Sequence, residues 1–178
     1  MNIAIVYASQ TGNTEKLAGA IRKALANETI VYFGAVPENV PQADLYLVGS
    51  GIYKGEFRED AAAFVQKLKN RKLACFATAG YGGSEEYAQA LLERLKAKMD
   101  SSTEVLGFFF CLGKMAAQVR ERYVQLLTQN PDDAQLQVSL KNFDEALSHP
   151  DDADLQHAGR WAGEMVLKAV RGHHHDGF

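Results

Sequence analysis

Residues 2–8, NIAIVYA, form a nearly unbroken apolar run rich in β-branched residues, and it leads into SQTGNT with no charged residue before Glu15. A run without polar alternation suits a strand buried on both faces, which in turn calls for a parallel sheet covered by helices on either side. Leu17, Ala18, Ile21, Ala24 and Leu25 then recur at spacings of three and four, predicting an amphipathic helix over about 13–26. This opening strand, loop and helix is repeated in kind. ETIVYFGAV and DLYLVGS read as the second and third strands, separated by a loop that Pro37 and Pro41 enforce. Ala61, Phe64, Val65 and Leu68 mark a second helix, KLACFATAG a fourth strand, Tyr87, Ala88, Leu91, Leu92 and Leu95 a third helix, and TEVLGFFFCLG a fifth strand. Such alternation is the pattern of a doubly wound α/β fold with right-handed crossovers.

After the fifth strand only helical periodicity remains, over about 114–128, about 133–147 and from about 151. The last stretch carries Leu155, Ala158, Ala162, Met165, Val166 and Ala169 on one face and is the natural cover for the sheet, so 114–150 reads as a helical insertion. With 178 residues, 47% of them hydrophobic and 23% charged, the chain is expected to form one domain over 1–172. The His-rich end at 173–178 is expected to be a disordered tail rather than a metal site. A net charge of −3 gives no electrostatic reason to expect nucleic acid. Cys75 and Cys111 each lie within an apolar run, as buried thiols in a reducing compartment do, and no apolar run approaches 18 residues. A cytoplasmic protein without a membrane span is expected.

In an open parallel sheet, ligands bind at the carboxyl ends of the strands. Three loops there are rich in glycine and in hydroxyl or aromatic residues: Ser9, Gln10, Thr11, Gly12, Asn13 and Thr14; Ser50, Gly51, Ile52, Tyr53, Lys54 and Gly55; and Thr78, Ala79, Gly80, Tyr81 and Gly82. The first loop opens a helix, whose unpaired N–H groups and dipole can hold a phosphate, with Ser9, Thr11 and Thr14 adding hydroxyls. It has no lysine after its glycine, as a Walker loop would, and no GxGxxG dinucleotide fingerprint. The alternative is that these residues only cap the helix. Tyr53 and Tyr81 can face each other across a flat ring, or stand as rim tyrosines. A phosphate nest with two aromatic loops describes a site for flavin mononucleotide (FMN).

SQTGNT reproduces the S/T-x-T-G-x-T phosphate loop of the flavodoxin family, directly after a first strand and before a first helix. The resemblance extends to LVGSGIYKG and FATAGYGG, the two loops that hold the flavin ring, and covers about 1–112 and the closing helix. CLGKMAAQVRERYVQLL with NFDEALSHPDDADL resembles a branch of short flavodoxin-like proteins whose final segment is helical. The resemblance implies a five-stranded parallel sheet in the order 2-1-3-4-5, non-covalent FMN on the three loops, and electron transfer with a redox partner protein. Three departures stand out. The charge is nearly balanced where flavodoxins are usually acidic, Lys54 stands where many have glycine, and the insertion follows strand five. The loop GSGIYKGEF is also similar to that of flavodoxin-like protoporphyrinogen oxidases.

An electron carrier is therefore the first expectation. An FMN-dependent oxidoreductase acting on a quinone or tetrapyrrole is the second. A receiver domain of the same fold needs an acidic cluster after strand one and an aspartate after strand three, where this chain has Ala8-Ser9 and Gly49-Ser50. Lys54 either reaches the ring edge and tunes its potential or points into water. Lys114, Arg120 and Arg122 place a docking face on the insertion, unless those helices are only a solvated cover.

Overall fold

The computed structural model describes residues 1–82 and 84–172, so the tail at 173–178 lies outside the described residues. Five parallel strands, β1 (Asn2–Ala8), β2 (Thr29–Ala35), β3 (Leu45–Tyr53), β5 (Lys72–Ala79) and β6 (Glu104–Leu112), form the sheet in the order β2-β1-β3-β5-β6. This is the expected order. A two-residue strand, β4 (Glu56–Phe57), pairs antiparallel with the end of β3 and was not foreseen. Two residues carry no periodic signal; what closes the hairpin is the turn at Lys54 and Gly55, where φ is 51° and 76°.

Side chains of β1 alternate between two core clusters. Ile3 and Ile5 pack with Leu17 and Ile21 of α1 (Asn13–Ala24) and with Trp161 and Met165 of α6 (Asp152–Arg171). Ala4 and Val6 face the other way, towards Phe64 and Val65 of α2 (Glu59–Gln66) and Leu95 of α3 (Glu85–Lys96). Ile3, Ala4, Ile5 and Val6 are wholly buried, as a sheet covered on both faces requires. Each large apolar side chain so buried contributes about 1.5–3 kcal/mol. The Trp161 ring closes the first cluster, 6.3 Å from Phe76 and 5.8 Å from Phe109.

Between β6 and α6 the chain forms a helical hairpin, α4 (Ala117–Gln129) and α5 (Ala134–Ala146), the segment expected as an insertion, and no residue of 113–150 belongs to either core cluster. Arg120 joins the two helices through an exposed ion pair to Asp144, 3.0 Å long. At its base the hairpin is closed by the Lys114 N–H donating to the His149 carbonyl at 2.8 Å. Among the described residues no helix is long and apolar enough to cross a membrane.

Candidate functional site

The chain leaves β1 for β2 on one side and returns to β3 on the other, so the sheet order reverses between β1 and β3. That reversal opens a crevice at the strands' carboxyl ends. The first loop lies there. Its Gly12 adopts φ 87°, a left-handed conformation that favours glycine, and caps α1 without any side-chain hydrogen bond. By contrast, Ser84, Asp133 and Asp151 each accept a backbone N–H at the starts of α3, α5 and α6. The first intrahelical donor of α1 is the Lys16 N–H, to the Gly12 carbonyl at 3.0 Å. The N–H groups of Asn13, Thr14 and Glu15 therefore have no intrahelical acceptor. Ser9 serves the loop rather than the helix, its Oγ accepting from the Gly12 N–H at 3.1 Å. The start of α1 is thus shaped as an anion cradle, with the positive end of the helix dipole behind it.

Above the loop is a cavity of about 260 Å³ that brings the three sequence-predicted segments together. Ser9, Gln10, Thr11, Asn13 and Thr14 line it from the first loop, Gly51, Ile52 and Tyr53 from the second, and Thr78, Ala79 and Gly80 from the third. The first and third loops are joined by a buried bond of 3.0 Å between the hydroxyls of Thr14 and Thr78. Gln10, Tyr53 and the unforeseen Arg58 also line an adjoining cavity of about 870 Å³ that runs along α2, so the crevice continues as a trough.

Gly12, Ser50, Lys54, Gly55, Tyr81 and Gly82 are not on the wall of the narrow cavity. Ser50 is buried beneath it, its Oγ accepting from the Arg58 N–H at 2.9 Å and donating to the Gly51 carbonyl at 2.7 Å. Lys54 turns back over the Tyr53 ring, its Nζ 5.3 Å from the centroid. Tyr81 packs beside Tyr87 with centroids 5.7 Å apart, while Tyr53 is 62% exposed at the mouth of the trough. Among the described residues the Tyr87 hydroxyl is buried without a hydrogen-bond partner, and burial pushes its pKa up to about 12.

Sequence reasoning stopped at the three loops and missed a fourth wall. Arg58, Gly113, Lys114, Met115, Ala116 and Val119 also line the cavity. The segment after β6 crosses the end of the sheet, with the Gly113 N–H donating to the Ala79 carbonyl at 2.9 Å. Met115 then lies so close to Gly80 that a Cβ there would meet its sulfur at 2.3 Å. On the far side of this segment, α4 and α5 enclose a cavity of about 810 Å³ whose wall includes Val124, Phe143 and Leu147. It shares Thr11, Lys114, Met115 and Ala116 with the first cavity.

A family profile described as "Flavodoxin domain" matches residues 4–162. The flavodoxin-like domain-containing protein BilS of Clostridioides difficile (strain CD3) is 29% identical over 176 residues, 95% of this chain and 98% of the relative. The protein of the same name from Clostridium symbiosum (strain WAL-14163) is 30% identical over 172 residues, 87% of this chain and 90% of the relative. The fold is also that of oxidised Flavodoxin 2 from Bacillus cereus, with a TM-score of 0.58 at 20% identity, covering 94% of this chain and 99% of that one.

Proposed function

The chain belongs to the flavodoxin family, and on that premise we propose that it binds one FMN in the trough and passes electrons between redox partner proteins. The observation that carries the proposal is the uncapped start of α1, with free backbone donors beneath a cavity that all three loops line. The N–H groups of Asn13, Thr14 and Glu15 and the Thr11 hydroxyl hold the phosphate. Gly51, Ile52 and Gly80 bring backbone close to the ring, and Met115 and Val119 exclude water from its inner edge. FMN, when bound, supplies one- or two-electron chemistry. Tyr53 stands where the trough meets solvent, the side from which a partner reaches the ring. The two free, buried thiols suit a reducing, cytoplasmic setting.

The apolar cavity between α4 and α5 supports a second reading, in which a small molecule such as a quinone or tetrapyrrole is oxidised or reduced beside the flavin. Reductive titration of the FMN-loaded protein, followed by steady-state assays with quinones, separates the two. A carrier takes up two electrons per FMN and turns over slowly with every small acceptor. Saturable, rapid turnover with one class of acceptor selects the enzyme instead. A protein that takes up no FMN fails both readings.

A further inference from the structure

The phosphate loop carries two amide side chains, Gln10 and Asn13, at the variable positions of SQTGNT, and each is tied to a segment that brings a cation to the cavity. On one flank, Gln10 Oε1 accepts from Arg58 Nη1 at 3.0 Å. The Arg58 backbone is fixed as well, by its N–H bond to Ser50 and by its place as the N-cap of α2. On the other flank, Asn13 Nδ2 donates to the Lys114 carbonyl at 2.7 Å and to Thr11 Oγ1 at 3.0 Å. The Lys114 N–H in turn donates to the His149 carbonyl, so the backbone of Lys114 is held from both sides. Arg58 and Lys114 both line the cavity, and among the described residues no aspartate or glutamate does. Neither cation is within ion-pair distance of a carboxylate among the described residues. In a chain of net charge −3, two cations without an ion-pair partner on the wall of this cavity, and no acid on that wall, form a local electropositive site, while Glu56 and Glu59 lie with Arg58 on the adjoining trough.

We propose that Arg58 and Lys114 form a cationic collar that recognises the phosphate of FMN, so that the insertion supplies part of the cofactor site through Lys114. This rests on the FMN reading above. Backbone N–H groups alone hold a phosphate by fixed partial charges, whereas a collar adds a Coulombic attraction that depends on the ligand's charge and is screened by salt. Riboflavin, with the same ring and no phosphate, is the control that separates the two contributions.

The test is calorimetric titration of the apoprotein with FMN and with riboflavin, at low and high salt, for wild type, Arg58→Gln, Lys114→Gln and the double variant. Each single variant should weaken FMN by about threefold to tenfold, the range expected of one partly screened charge on a dianion. Riboflavin should be unchanged. Arg58→Lys and Lys114→Arg should retain most of the FMN affinity, and the double variant should lose most of the wild type's salt dependence. FMN affinity equal to wild type in the double variant would overturn the collar while leaving the FMN reading in place. Equal losses for FMN and riboflavin would overturn it too, since they mark a structural role for the two side chains. A wild type that binds no FMN would overturn both.

Discussion

Thr11 and Thr14, alike in the sequence motif, do different work. Thr14 is 1% exposed and its hydroxyl is engaged with that of Thr78, whereas Thr11 faces the open cavity. Thr11→Val should therefore cost about 1.5–3 kcal/mol of FMN binding, the range for a hydrogen bond to a charged group, with little change in stability. Thr14→Val should cost about 1–3 kcal/mol of stability, because it leaves the Thr78 hydroxyl buried and unpaired, and adding Thr78→Val should restore much of that loss. Denaturant unfolding of the apoproteins, with FMN titrations alongside, checks both. If Thr14→Val were the more damaging to FMN binding and harmless to folding, the assignment would be reversed. At the hairpin, Lys54→Gly should stabilise the protein by about 1 kcal/mol by relieving a left-handed lysine. A lower melting temperature would count against this. The motif residues were legible in the sequence because SQTGNT is local. Arg58 was not, because its value comes from reaching Gln10 across 48 residues.

The insertion is the element whose role is least visible in its own periodicity. Its two helices were legible from apolar spacing, and they fall within a few residues of the expected bounds. The tie from its base to the phosphate loop, between Asn13 and Lys114, spans 101 residues and leaves no local signal. Of the residues expected to form a docking face, two have other neighbours as well. Arg120 is paired with Asp144, which raises its pKa through that hydrogen bond, and Lys114 lines the narrow cavity as well as the one between α4 and α5. Since 113–150 contributes to neither core cluster and its ends meet at Lys114 and His149, replacing 117–146 with a short glycine linker should leave a cooperatively folding sheet. Loss of a single unfolding transition in that variant would show that the hairpin is part of the core after all. Asn13→Ala, which cuts only the tie, should raise amide exchange through 114–119 and leave exchange in β1 and β3 unaltered.

For the molecule as a whole, burial on both faces of the sheet sets a pH limit. Burial raises the pKa of Cys75, and it pushes Cys111 and Tyr87 each up to about 12, from ordinary values of 9.0 and 10.0. Groups whose protonated form is favoured in the folded state contribute stability that is complete below their unfolded pKa and is lost as pH rises towards the folded value. Stability should thus fall from about pH 9 upwards, and Cys111→Ala should flatten that decline. A decline of the same slope in the variant would assign it to other groups. The strand order followed from the alternation of strands and helices, because a doubly wound sheet admits few alternatives once its strands are known. The trough was legible only as three separate loops, since its fourth wall is made by chain that crosses back after β6. The crevice is proposed above as an FMN site built around the phosphate. Titration of the apoprotein with FMN and riboflavin, read by quenching of flavin fluorescence, tests it most directly. One FMN per chain is expected, with an affinity for riboflavin lower by roughly two orders of magnitude, as the loss of several charged hydrogen bonds requires. Riboflavin bound as tightly as FMN, or no quenching by either, would contradict it.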